Sequence, residues 1–222
     1  FTHANDIVAF FVGTNSIFLL DGDPHKHARR RTLSAFAGDR MKRYGEVMKR
    51  AADRYIDGMG PNQTVSAMDA GTTMALEIIL IALFGMEPGA EYDEMDAAVR
   101  GFMEGGHSPV ASLLSYWLPP ATMRGLILGD RDPATMRRRA MSPLARALGK
   151  TDAIRAGRRL TELLLKLVQE RRATLDRASD DGLSHILRTA RDEGHAYDDA
   201  AAFDESLTLL LAGHDTTAIT LS

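Results

Sequence analysis

A mainly α fold is what this 222-residue sequence predicts, and three observations predict it. Apolar residues recur three and four apart through most of the chain, the stripe of helices packed on one side. Breakers separate these stretches at Gly58-Met59-Gly60-Pro61, Gly105-Gly106, Pro119-Pro120 and Gly129 to Pro133, and none is long or polar enough for a domain linker. Strand patterns are scarce: Ser16 to Leu20 (SIFLL), between Gly13 and Gly22, fits extended loop or part of a helix equally. No internal repeat or low-complexity segment interrupts the pattern.

The elements follow in order. Asp21-Gly22-Asp23-Pro24 reads as a turn and a helix start, with Pro24 near the first helical position. Leu76 to Phe84 (LEIILIALF), extended upstream by Met68, Met74 and Ala75, is a buried helix ended by Gly85 and Pro88. Leu160, Leu163, Leu164, Leu167 and Val168 mark an amphipathic helix running into Gln169-Glu170-Arg171-Arg172, a basic end that the helix dipole favours. Asp180-Asp181 caps a short helix through Arg191, and Phe203 to Leu221 is a last helix, apolar first, then small and polar.

Composition bounds the function. Apolar residues at 45% and charged residues at 26% are the ordinary balance of a soluble globular chain. Lys and Arg number 27 against 30 Asp and Glu, so the net charge is −3, which argues against a dedicated nucleic-acid binder. Cysteine is absent, which excludes disulfides, thiolate metal sites, Fe–S clusters and Cys nucleophiles within these residues. No membrane span or signal peptide is visible, and a cytoplasmic protein is expected. The chain opens on Phe1 and closes on Thr220-Leu221-Ser222 within an apolar run that has no stop signal. One partial domain over residues 1–222, cut at both ends, is therefore expected, with no second domain.

Two stretches carry candidate chemistry. In Leu19 to Phe36 (LLDGDPHKHARRRTLSAF), His25 and Arg29 stand four apart and share a helix face. Both donate to anions, Arg bidentately, so the pair suits a carboxylate or phosphate. Spacing alone favours another reading, in which Arg29, Arg30 and Arg31 form a solvated basic face and His25 borders a cap. His25-Lys26-His27 is a poor metal site, because positions two apart point to different faces.

The second stretch is Leu207 to Thr217 (LTLLLAGHDTT), where an apolar helix meets Ala212-Gly213 and then His214-Asp215-Thr216-Thr217. Glycine in mid-helix costs about 1 kcal/mol against alanine, and Thr hydroxyls can bond back to the i−4 carbonyl. Ala212 or Gly213 and Thr216 share a face without bulk, against which something flat or small fits. An acid beside a hydroxyl there is suited to relaying protons. A C-terminal cap would also run apolar helix, Gly, polar residues, but a polar loop should then follow. Instead Ala218-Ile219-Thr220-Leu221 resumes helical apolar spacing, so a helix running through the motif, distorted there, is expected.

Together these segments resemble the cytochrome P450 superfamily, the haem-thiolate monooxygenases. Ala212 to Thr217 (AGHDTT) is similar to the oxygen-binding signature of the family's long central helix. His25-x-x-x-Arg29 is similar to the motif that holds a haem propionate, and Leu19 to Met41 resembles the bacterial form of that segment. The order along the chain agrees, as do the intervening Ala75 to Gly85 and the helix ending Glu170-Arg171-Arg172.

The resemblance implies a P450 fold, incomplete, from the N-terminal helices up to the central one. It implies haem b and O2 as cofactors, with electrons from NAD(P)H through a ferredoxin or flavoprotein partner. It implies catalytic roles for Thr216, beside the oxygen molecule and ordering a water, and for Asp215, bringing protons from solvent. His25 and Arg29 would anchor a propionate, with Ala212, Gly213 and Thr217 bordering the haem. Arg30 and Arg31 would offer a docking face for an acidic partner or simply a solvated one. The proximal Cys and a Glu-x-x-Arg landmark are missing and are expected beyond Ser222, so no metal ligand lies among these residues. Segments that line the pocket in the family, here roughly Ala9 to Phe18 and Met103 to Leu128, hold Phe10, Phe11, Ile17, Phe18, Met103, Leu113, Leu114, Trp117 and Met123, which suits a lipophilic substrate. Core packing explains most of them equally well, and His107 and Trp117 have no assignable role. The alternative is an all-helical ligand-binding regulator without enzymatic activity, using Arg29 to Arg31 or Arg137 to Arg139 on DNA. The net charge and the lack of a helix-turn-helix at the N-terminus count against it.

Overall fold

The computed structural model describes residues 9–106, 122, 124–125, 128, 152–177, 180–194 and 197–221. His107, Leu113, Leu114, Trp117, Met123, the breakers at Pro119-Pro120 and from Gly129 to Pro133, and Arg137 to Arg139 lie outside the described residues. Among the described residues every regular element is a helix: α1 (Ala9–Val12), α2 (Gly22–Ala35), α3 (Arg40–Asp57), α4 (Ala67–Ala82), α5 (Ala90–Gly106), α6 (Asp152–Ala173), α7 (Gly182–Glu193) and α8 (Asp199–Leu221). The mainly α expectation holds, and Ser16 to Leu20 forms turns rather than a strand.

Local chemistry explains the helix ends. Ser66 caps α4 by accepting from the Asp69 N–H at 3.3 Å. Its far end stops at Gly85, whose φ of 61° returns its N–H to the Ile81 carbonyl at 3.0 Å. Asp181 caps α7, accepting from the Ser184 N–H at 2.8 Å and from the Ser184 hydroxyl at 2.9 Å. Helix α2 starts at Gly22, so Pro24 is its third residue, still in the first turn where a missing N–H costs nothing.

The core joins α4 through α8. Leu76, Leu80, Phe84, Val99, Leu160, Leu164, Leu187, Phe203 and Leu207 are all fully buried within it. Helices α4 and α8 lie against each other, α5 against α6, α7 against α2, and α3 against α4. The α4–α8 crossing is tight at two glycines. A Cβ at Gly71 would sit 2.9 Å from the Ala218 carbonyl oxygen, and one at Gly213 would sit 2.9 Å from Ile79 Cδ1. The first obstruction is backbone and cannot swing aside.

The basic end of α6 does more than complement a dipole. Arg171 donates to the Phe84 carbonyl at 2.9 Å and pairs with Asp181 at 3.2 Å, tying the end of α4 to the start of α7. Arg172 donates to the Tyr197 carbonyl at 2.9 Å and pairs with Asp199 at 3.0 Å, fixing the start of α8. No described helix is long and apolar enough to cross a membrane.

Candidate functional site

Helix α2 carries six basic side chains, and four of them have carboxylate partners. Lys26 pairs with Asp23 at 2.8 Å, His27 with Glu193 at 3.9 Å, Arg30 with Glu193 at 3.2 Å and Arg31 with Glu205 at 3.6 Å. His25 and Arg29 make no hydrogen bond or ion pair among the described residues. Their spacing of four puts both on one face, and Arg29 is exposed. The sequence alone treats Arg29, Arg30 and Arg31 as one basic run. Packing divides them.

Arg31 is not on a solvated face. Ala28, Arg31 and Ala35 form the buried stripe of α2, and the Arg31 guanidinium lies 4.5 Å over the Tyr197 ring. It reaches Glu205, which is 2% exposed in the second turn of α8 and also accepts from the Tyr197 hydroxyl at 2.9 Å and Thr32 Oγ1 at 2.6 Å. A continuous basic triplet for a partner or for DNA is therefore absent from α2.

Helix α8 runs without interruption through Ala212 to Thr217, so it is continuous as expected but shows no break at the motif. Thr216 Oγ1 donates to the Ala212 carbonyl at 2.5 Å and Thr220 Oγ1 to the Thr216 carbonyl at 2.7 Å, which keeps both hydroxyls on the helix. Ala212 and Thr217 are half-buried, while Thr216 and Ile219 are exposed, so this side of the helix is open. Asp215, partly exposed, lies 2.9 Å from the Nδ1 of the buried His214. Gly213 faces Ile79 of α4, so its lack of a side chain serves helix packing as well as any groove.

Asp204 and Glu205 are buried, paired acids that the sequence reading does not single out, because they sit within a stretch that reads as an apolar helix. Asp204 is buried, ion-paired with Arg124, and accepts from the Asn15 N–H at 3.2 Å and Asn15 Nδ2 at 2.9 Å. One turn on, Thr208 Oγ1 donates to Ser16 Oγ at 2.9 Å. These bonds lay the turns between α1 and α2 on α8. A Cβ at Gly13 would run into the Asp204 carboxylate. The only available sequence signal was two adjacent acids on the face that continues into Leu207 and Leu211. Of the segments named for a substrate pocket, Phe11 stacks edge-on against Phe102 with centroids 6.1 Å apart, and Met103 and Leu128 join the core, while Phe18 is exposed.

Burial, with the Glu205 carboxylate beside it, raises the Tyr197 phenol well above its ordinary value of 10.0. The folded state then keeps this proton after the unfolded chain has lost it. The contribution to stability is full below about pH 10 and is lost as pH rises above it. The urea midpoint should therefore fall as pH rises above about 10, and fall less in Tyr197→Phe. An equal fall in both proteins would mean that Tyr197 is not the group responsible.

A surface cavity of about 270 Å³ lies elsewhere, between α3, α4 and the turn before α7, where Arg43, Tyr44, Arg50, Ile81 and Asp181 line it. It touches neither α2 nor α8.

Comparison with known proteins agrees with this arrangement. Residues 135–222 match the family model of cytochrome P450. The chain is 26% identical over 219 residues to a Mycobacterium tuberculosis protein named "Putative cytochrome P450 135A1", covering 98% of this chain and 43% of that protein. It is 29% identical over 220 residues to "Putative cytochrome P450 135B1" of Mycobacterium bovis, covering 99% of this chain and 41% of the relative. It is also 29% identical over 211 residues to "Putative cytochrome P450 138" of the same organism, covering 94% and 42%. The chain thus spans less than half the length of these curated relatives, 41% to 43%. Helices throughout the described residues, the family model over residues 135–222 and similarity along nearly the whole chain point the same way: this chain is similar to the cytochromes P450.

Proposed function

We propose that the protein to which this chain belongs is a haem-thiolate monooxygenase, with these residues forming the side of the haem on which oxygen and substrate bind. The observation that carries the reading is the pair left over on α2. Of six basic side chains on that helix, His25 and Arg29 are the ones without an anion among the described residues. Two hydrogen-bond donors four apart, one of them a planar guanidinium, suit a propionate carboxylate. The thiolate ligand, on this reading, comes from chain outside these 222 residues, which contain no cysteine.

Haem, when bound, supplies the oxidising chemistry on dioxygen, the thiolate favouring O–O cleavage. The rest is done by side chains. His25 and Arg29 neutralise and orient the propionate edge. Ala212, Gly213 and Thr217 keep the helix surface flat beside the ring. Thr216 spends its proton on the Ala212 carbonyl at 2.5 Å, so its lone pairs are left to accept from a water and hold it in place. Asp215, with a side chain 45% exposed, takes protons from solvent and passes them toward that water. One substrate C–H, O2, two electrons and two protons give the hydroxylated product and water. The electrons derive from NAD(P)H through a ferredoxin or flavoprotein. The apolar residues at Phe11, Ile17 and Phe18 suit a lipophilic substrate.

The intact protein should bind haem and, when reduced under CO, give the Soret band of a thiolate-ligated iron. His25→Leu combined with Arg29→Leu should leave that band type unchanged but lower the haem retained through gel filtration by about tenfold. An intact protein that takes up no haem would overturn the reading. Full retention in the double variant would remove the two residues from the haem site.

A further inference from the structure

The proposed reaction leaves one residue of the Ala212 to Thr217 motif without a task. His214 is 4% exposed, whereas the side chains on either side of it, at Asp215 and along the open face, reach solvent. Its Nδ1 lies 2.9 Å from Asp215 Oδ1. Its Nε2 is buried and has no hydrogen-bond partner among the described residues.

These two observations select one placement of the proton. A carboxylate oxygen only accepts, so a 2.9 Å contact with Nδ1 needs a proton on Nδ1. If the proton sat on Nε2 instead, two acceptors would face each other at Nδ1, and a buried N–H donor would be orphaned at Nε2. A proton on both nitrogens would bury a charged donor without an acceptor, a costlier arrangement still. A bare Nε2 lone pair is the cheapest group to leave unpaired in this position.

We infer that His214 is a positioning residue for Asp215, held as the Nδ1–H tautomer that donates to Oδ1 and keeps the carboxylate in one orientation. Adjacent helical residues do not ordinarily face each other, so without this bond Asp215 would sample several rotamers in solvent. The bond holds Oδ1 and leaves Oδ2 available to a water. The consequence for turnover rests on the monooxygenase reading; the tautomer does not.

Two measurements test this. In the intact protein, reduced and CO-bound so that the iron is diamagnetic, imidazole 15N–1H NMR should show His214 with Nδ1 protonated and Nε2 bare, its signals assigned by their loss in His214→Asn. A proton on Nε2, or on both nitrogens, would overturn the inference. If the protein takes up no haem, the proposed function fails, while the same spectrum of the haem-free protein still decides the tautomer. The second measurement is product formed per NAD(P)H consumed. His214→Asn places an amide N–H where Nδ1–H stood and should keep coupling within about twofold, whereas His214→Leu, similar in size without a donor, should lower it about tenfold with substrate affinity unchanged. Equal coupling in the two variants would show that the donor is not what matters.

Discussion

Glu205→Ala is expected to destabilise the protein by about 3–5 kcal/mol, the cost of removing one partner of a buried ion pair. The carboxylate is 2% exposed and is shared by three partners from two places in the chain: Arg31 and Thr32 on α2, and Tyr197 before α8. Its loss leaves the Arg31 guanidinium buried beside the Tyr197 ring with no counter-charge, and two hydroxyls without their acceptor. The midpoint of urea unfolding should drop while its slope stays constant. Glu205→Gln keeps an acceptor for one hydroxyl and should fall between the two. The effect should also reach the site, since this contact sets where α2, and with it His25 and Arg29, stands relative to α8. A loss below about 1 kcal/mol, the range of an exposed pair, would mean that the network is not closed to solvent.

Thr216→Ala is expected to uncouple turnover. Product per NAD(P)H should fall by roughly 10²-fold, the low end of what positioned proton transfer contributes, because the water that Thr216 holds is lost, with the electrons appearing as peroxide instead. Thr216→Ser keeps the hydroxyl and should retain most of the coupling. Stability should change by no more than about 0.5 kcal/mol, because Thr216 is exposed and its hydroxyl bonds only its own helix. Unchanged coupling in Thr216→Ala would remove this hydroxyl from the relay, and a change in Thr216→Ser as large as in the alanine variant would point to the methyl group.

Much of the fold was legible because helices advertise themselves locally. The apolar stripe from Leu160 to Val168, the cap at Asp181 and the stop at Gly85 all depend on neighbours within a few positions, and all stand where the spacing puts them. The continuity of α8 through Gly213 was legible for the same reason: Ala218 to Leu221 resume the helical pattern. Arg31 was not. It belongs in composition to a basic run, yet it falls on the stripe of Ala28 and Ala35, and only the arrival of Glu205 makes its burial tolerable. Glycine 213 was legible as a position without bulk but not as the point where Ile79 needs room.

The candidate site divides in the same way. The sequence by itself determined the helices, the His25–Arg29 spacing and the small-acid-hydroxyl order from Ala212 to Thr217, because each is set by residues within a turn or two along one helix. Only the tertiary structure decided which basic residues are already paired, that Asp204 and Glu205 are buried anchors rather than surface acids, and that the outer nitrogen of His214 has no partner among the described residues. Those properties depend on groups brought together from up to 192 positions apart, as in the bond from Thr208 to Ser16. Local spacing carries no information about such partners: a charge is stable or costly in the interior according to what packs against it.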